Sequence, residues 1–265
     1  MRSIGIILFI LSILAAGCSA NRRPQASTEG VKMSDLAPID NMRDPGIDLL
    51  ESVNVEVAVF EVPAGNISML EDVWESLAYG PVRYKKPGDF DLNGFRAAFG
   101  RGVMINDLLD AIKVAGGEKT RKISMVILKG SSEKAVLRNL VYKRDVFYTL
   151  EGAVEDVSLG PGVFLLAVKA DRLSWRRGLC SISVTPACCG RAVSLKSVLR
   201  NKPEADCFEF SNLTAEWTAS PGDFVLLGSH GYIDNDVTVS GMLFSRPHPF
   251  PVSKLYLISC SGIVQ

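Results

Sequence analysis

The sequence predicts an α+β protein: a module of mixed helix and strand over residues 50–130, followed by a β-rich domain of sandwich or partial barrel-like form over residues 131–265. Three observations carry this reading. Val53, Val55, Val57 and Val59 alternate with Asn54, Glu56 and Ala58, the period of a strand with one buried face. Two later stretches, Ile67 to Ala78 and Val103 to Val114, repeat apolar residues at helical spacing. From about Ala135 onward, short apolar runs alternate with Gly- and Pro-containing breaks, as in stacked antiparallel sheets. With 265 residues, 47% hydrophobic and 22% charged, the chain has ample material for a core. Its 29 basic and 29 acidic residues balance, which excludes the strongly basic character of a nucleic-acid-binding domain.

The elements follow in order. Met1, Arg2 and Ser3 give a positive start, and Ile4 to Ala16 is an uncharged apolar run of thirteen residues. That fits the about 7–15 residues of a signal-peptide core and falls short of the about 20 needed to span a bilayer, so residues 1–17 read as a signal peptide. Leu14-Ala15-Ala16-Gly17-Cys18 resembles the lipobox of bacterial lipoproteins, with Ala15 where that family more often has leucine. The resemblance implies cleavage before Cys18, a diacylglyceryl thioether on its sulfur, and attachment to the membrane by that lipid. Ser19 in place of Asp implies outer-membrane sorting, facing the periplasm, if the host is Gram-negative. Residues 18–49, rich in Asn, Arg, Pro, Ser and Asp with Pro24, Pro38 and Pro45, cannot bury enough apolar surface to offset their ordering and read as a flexible tether.

The folded part is expected to open with the strand around Val53 to Val59, closed by Pro63, Gly65 and Asn66. In the helix from Ile67 to Ala78, Ser68 and Glu71 are spaced as a capping box, and Leu70, Val73, Trp74 and Leu77 form one buried stripe. Trp74 is therefore read as core. Asn93-Gly94 turns into a strand from Phe95 to Phe99. The helix from Val103 to Val114 stops at Gly116-Gly117, and Ile123 to Leu128 is a strand. Further strands are expected at Val146 to Leu150, Gly162 to Val168, Leu179 to Val184, Cys207 to Glu209, Phe224 to Leu227, Val237 to Phe244 and Leu255 to Ile258. Breaks at Gly160-Pro161-Gly162 and Pro221-Gly222-Asp223 separate some of them. Val193 to Leu199 reads as one or two helical turns.

Two further resemblances attach to these elements. Val55 to Gly102, with its Pro-Ala-Gly turn, Trp-bearing helix and Leu92-Asn93-Gly94-Phe95-Arg96, resembles lipoproteins of planctomycete-type bacteria, a resemblance that implies no site. Gly178 to Pro186, Pro221 to Gly228, Gly241 to Phe244 and Lys254 to Ile258 run in an order similar to secretin β-domains, the ring-forming outer-membrane gates. The chain departs from that family between Gly228 and Gly241, where the Val-Pro-x-Leu-Gly insertion and a membrane hairpin are missing.

No catalytic motif is present: there is no GxSxG elbow, no HExxH and no Gly-rich phosphate loop. Of the two histidines, His230 sits in a Gly-Ser-His-Gly turn and reads as exposed, while His248 falls in the stiff Arg246-Pro247-His248-Pro249-Phe250-Pro251 stretch. Asp234-Asn235-Asp236 reads as a hairpin turn, since the spacing of a calcium loop is missing. Trp175-Arg176-Arg177 reads as a charged strand edge. Cys180, Cys188, Cys189, Cys207 and Cys260 are the candidates for disulfide bonding in an oxidising compartment, and five is odd, so one remains over. Cys188 and Cys189 are neighbours, too close to bridge each other, and one of them is expected to pair with a distant cysteine. With no CxxC pair, no metal is called for, nor any cofactor. The expected function is that of a membrane-anchored envelope lipoprotein, non-enzymatic, with a structural or protein-interaction role and envelope proteins as partners. A degenerate secretin-related accessory subunit and an enzyme with an unrecognised site are the alternatives.

Overall fold

A computed structural model describes residues 51–173, 178–190, 207–247 and 249–264. The expected leader, Cys18, the tether, Trp175-Arg176-Arg177, the Val193 to Leu199 turns and His248 lie outside the described residues. The described chain is mostly β, and its named strands pair antiparallel throughout.

Strand β1 (Ser52–Pro63) extends beyond the valine alternation that announces it. A 3-10 run, Ala64–Leu70, leads into helix α1 (Glu71–Ser76). The expected capping box does not form. The Glu71 backbone N–H donates to the Ser68 carbonyl, and the Glu71 carboxylate is drawn away to Arg96, a charged partner that outcompetes a backbone amide. Next come β2 (Arg83–Tyr84), helix α2 (Pro87–Leu92), β3 (Phe95–Gly100), helix α3 (Ile105–Val114) and β4 (Glu118–Leu128). The later strands are β5 (Ser132–Leu140), β6 (Arg144–Leu150), β7 (Ala153–Leu159), β8 (Gly162–Arg172) and β9 (Cys180–Gly190). They are followed by β10 (Cys207–Glu209), β11 (Ala215–Ala219) and β12 (Phe224–Ser229). Helix α4 (Val239–Phe244), β13 (Ser245–Arg246) and β14 (Val252–Val264) complete the chain order.

The first sheet runs β3-β12-β14-β1-β4, with β13 beside β14. The second runs β2-β11-β9-β8-β5, with β10 beside β9, and β6-β7 form a separate hairpin. One core lies between the two sheets: Val55, Val57, Val225 and Ile258 of the first share it with Phe164, Leu166, Ile182 and Trp217 of the second. The other face of the first sheet carries Phe60, Val62, Leu226 and Leu257, which pack on Leu70, Trp74, Leu108 and Ile112 of the helical layer. Burial of one large side chain contributes about 1.5–3 kcal/mol, so both layers hold the first sheet in place.

Two expectations are corrected here. Residues 50–130 and 131–265 do not fold as separate modules: residues Asp48–Gln265 form one compact unit, and the first sheet interleaves β1, β3 and β4 with β12 and β14. The pairing of β1 with β14 along its whole length makes the division impossible. The segment Val237 to Phe244 is not a strand. Thr238 caps a helix instead, its hydroxyl accepting from the Gly241 N–H at 3.1 Å, and Val239, Met242 and Leu243 are spaced to bury one helical face. Between Gly228 and Gly241 the chain therefore leaves β12, loops through Asp234-Asn235-Asp236 and enters α4, with no hairpin formed there.

Candidate functional site

A cleft of about 450 Å³ opens at the β3 edge of the first sheet. Its floor is aromatic. Tyr84 meets Phe90 with ring centroids 4.3 Å apart, Phe90 meets Phe95 at 5.2 Å, and Phe95 meets Phe244 edge-on at 4.9 Å. The stack continues the inter-sheet core outward to the surface, with the Phe90 and Phe95 rings buried.

One wall is built on Arg96. Alternation along β3 turns Phe95 and Ala97 inward and Arg96 toward the helical layer. There the guanidinium lies 4.7 Å from the Trp74 ring and 5.7 Å from the Tyr79 ring, a stacking that suits its planar charge. Its Nη1 donates to Glu71 at 2.7 Å, and its Nε and Nη2 donate to the Tyr79 hydroxyl at 3.0 and 2.6 Å. The Tyr79 hydroxyl in turn donates to the Trp74 carbonyl at 3.0 Å. Tyr84 donates to the Ala97 carbonyl at 2.9 Å, and burial, with Tyr79 nearby, pushes its phenol up to about 12. Both tyrosine hydroxyls thus have their hydrogen already committed to a backbone carbonyl.

The opposite rim carries His230, one residue beyond β12, whose Nε2 lies 3.0 Å from Oδ1 of Asp91. Both are exposed, as expected for His230. Asp91 is presented by α2, which is locked from beneath. Asp89, 5% exposed, accepts from the Glu151 N–H at 3.0 Å and from the Asn212 side chain at 3.1 Å. Asn93 donates to the carbonyls of Asp89 and Thr149 and accepts from the Thr149 N–H at 2.8 Å. Burial alone would raise the Asp89 carboxyl, but the amides of Glu151 and Gly152 and the Asn212 side chain outweigh it and hold the group below its ordinary value.

The remaining singled-out residues lie elsewhere. Asp236 pairs with Arg144 and, at 3.9 Å, with Arg138, and Asn235 accepts from the Val237 N–H at 2.9 Å, so this acidic stretch serves the approach to α4. Cys189 and Cys207, directly opposite on β9 and β10, are joined as a disulfide. The adjacent Cys188 turns to the inter-sheet core and Cys189 to the outer face of the second sheet, the alternation that keeps neighbours in a strand apart. Cys180, Cys188 and Cys260 are free and buried. Among the described residues, no three His, Cys, Asp or Glu side chains converge where a cation could sit.

Sequence reasoning located His230 but not its companions. Arg96, a lone charge inside the otherwise apolar Phe95 to Gly100, is the one signal that marks this edge. The Asp91–His230 contact joins residues 139 positions apart, beyond the reach of spacing rules. Comparison with protein families, with characterised proteins and with solved structures gave no match for this chain.

Proposed function

We propose that this chain is a lipid-anchored envelope protein that works by contact, and that the cleft at the β3 edge receives a side chain of a partner envelope protein. The observation that supports this is the state of the cleft's polar groups. Arg96 is spent on Glu71 and the Tyr79 hydroxyl, and the Tyr79 and Tyr84 hydroxyls are spent on backbone carbonyls. An aromatic surface is left with Asp91 on its rim, a carboxylate whose side chain is 74% exposed, while Glu71 is already paired with Arg96. Such a surface fits an apolar side chain flanked by a lysine or arginine, which the rings and Asp91 would both attract. The anchor is carried by the lipobox at Leu14 to Cys18.

A second reading has its own observation. A histidine within 3.0 Å of a carboxylate is an arrangement used for general base catalysis. The described residues that line the cleft include no serine, threonine or cysteine for such a base to activate.

One set of variants of the full chain tests both readings. Cys18→Ala should abolish incorporation of labelled palmitate; equal incorporation would remove the anchor. Asp91→Lys should weaken binding of the partner recovered by crosslinking from envelopes by tenfold or more, while His230→Ala leaves the envelope phenotype intact. Loss of that phenotype in a stably folded His230→Ala protein would favour catalysis.

A further inference from the structure

We propose that Cys180 and Cys260 form a second disulfide, which ties the two sheets together and leaves Cys188 as the sole free thiol of the folded chain. Their sulfurs lie 3.6 Å apart and both residues are fully buried. They belong to different sheets, Cys180 at the start of β9 and Cys260 in β14. The corner they share is where the chain itself crosses between the sheets. Cys180 is the register partner of Ala219, the last residue of β11. The turn after Ala219 docks on Cys260, whose carbonyl accepts from the Gly222 N–H at 2.7 Å and whose N–H donates to the Asp223 carbonyl at 3.1 Å. At Cys260 the β14 register slips by one residue against β1, a bulge that re-aims side chains.

In the folded chain the two sulfurs are already in contact. The Cys180 thiol donates toward the Cys260 sulfur, which favours a Cys260 thiolate and holds that thiol below its ordinary value despite burial. Before the sheets close either cysteine can open the exchange, with the same steps; Cys260 serves as the first. Its thiolate displaces one sulfur from an external disulfide, that of an oxidised thiol–disulfide oxidoreductase or of oxidised glutathione, and the displaced thiolate takes up a proton. Cys180 then attacks the mixed disulfide at the Cys260 sulfur, the second external thiol leaves, and two electrons and two protons have passed to the oxidant. Because both sulfurs are sealed in the folded core, exchange takes place while the sheets are still closing on each other. The bond closes a loop 80 residues apart in sequence, against 18 for Cys189–Cys207, and longer loops restrict the unfolded chain more.

The proposal rests on the export reading, because only an oxidising compartment supplies the oxidant. Full-length protein recovered from envelopes, acid-quenched, denatured and alkylated, should show one free thiol, at Cys188, and a peptide pair joining Cys180 to Cys260. Cys188→Ala should show none. Alkylation of both Cys180 and Cys260 in lipidated, envelope-bound protein would overturn the disulfide while leaving export standing. Absence of the chain from envelopes would instead strike at export. In that case, refolding the denatured, reduced chain with oxidised glutathione decides the pairing alone: failure to crosslink Cys180 to Cys260 there overturns it as well.

Discussion

Glu151 is held at a φ of 53°, and it is the one residue other than glycine with positive φ among those described. It forms a two-residue turn with Gly152, itself at 81°, between β6 and β7. Such turns want Asn-Gly or Gly-Gly; here the Asp89 carboxylate, by accepting from the amides of both residues, holds a glutamate in the unfavourable place. The arrangement makes stability depend on acid. Because the folded carboxyl sits below its ordinary 3.8, its contribution is fully present above that value and is lost as pH falls through the lower, folded one. Asp89→Asn keeps the shape but turns a donor toward donors. It should cost about 1–3 kcal/mol at neutral pH and flatten the acid side of the stability profile. Urea midpoints at pH 7 and near pH 3 check this; a variant that loses as much between the two as the native chain would show Asp89 to be idle.

Among the elements, α4 is the one most dependent on a single glycine. A Cβ on Gly241 would lie 1.5 Å from the Asn235 carbonyl oxygen, backbone that cannot move without undoing the Thr238 cap. Gly241→Ala should destabilise the chain by about 1–3 kcal/mol or more, read as a lowered urea midpoint, and an unchanged midpoint would mean that the loop before α4 is free to shift. This helix also shows what the sequence conceals. Val237, Thr238 and Val239 carry strand propensity, and the alternation Val237, Val239, Gly241, Leu243 mimics a strand. The Thr238 cap and the spacing of Val239, Met242 and Leu243 point the other way, and burial on all sides decides for the helix. Conversely, β11 was silent because its inward residues, Ala215, Trp217 and Ala219, include two too small to register as an apolar run. β7 was silent because most of it is exposed. β1, β10 and both longer helical stripes were legible since their patterns are local, whereas the cleft joins residues from α1, α2, β3 and the end of β12.

At the scale of the whole molecule, the first sheet is organised around β1 and β14, which lie side by side with β12 and β4 flanking them. Removing Val252 to Gln265 should therefore abolish cooperative unfolding, because β1 and β12 lose the strand between them and Leu255, Tyr256 and Ile258 leave their cores. Circular dichroism melts and protease resistance would show it, and a truncated chain that still melts in one sharp transition would refute the central role of β14. At the bulge near the end of the β1–β14 pair, a contact joins groups 207 positions apart, the Ser261 hydroxyl and the Asn54 carbonyl. Pairings so remote in sequence form slowly. As the chain emerges in order from the ribosome, β1 waits without one of its neighbours until β14 has been made. A polypeptide that cannot close early is one that a translocase, which threads extended chains, can still carry.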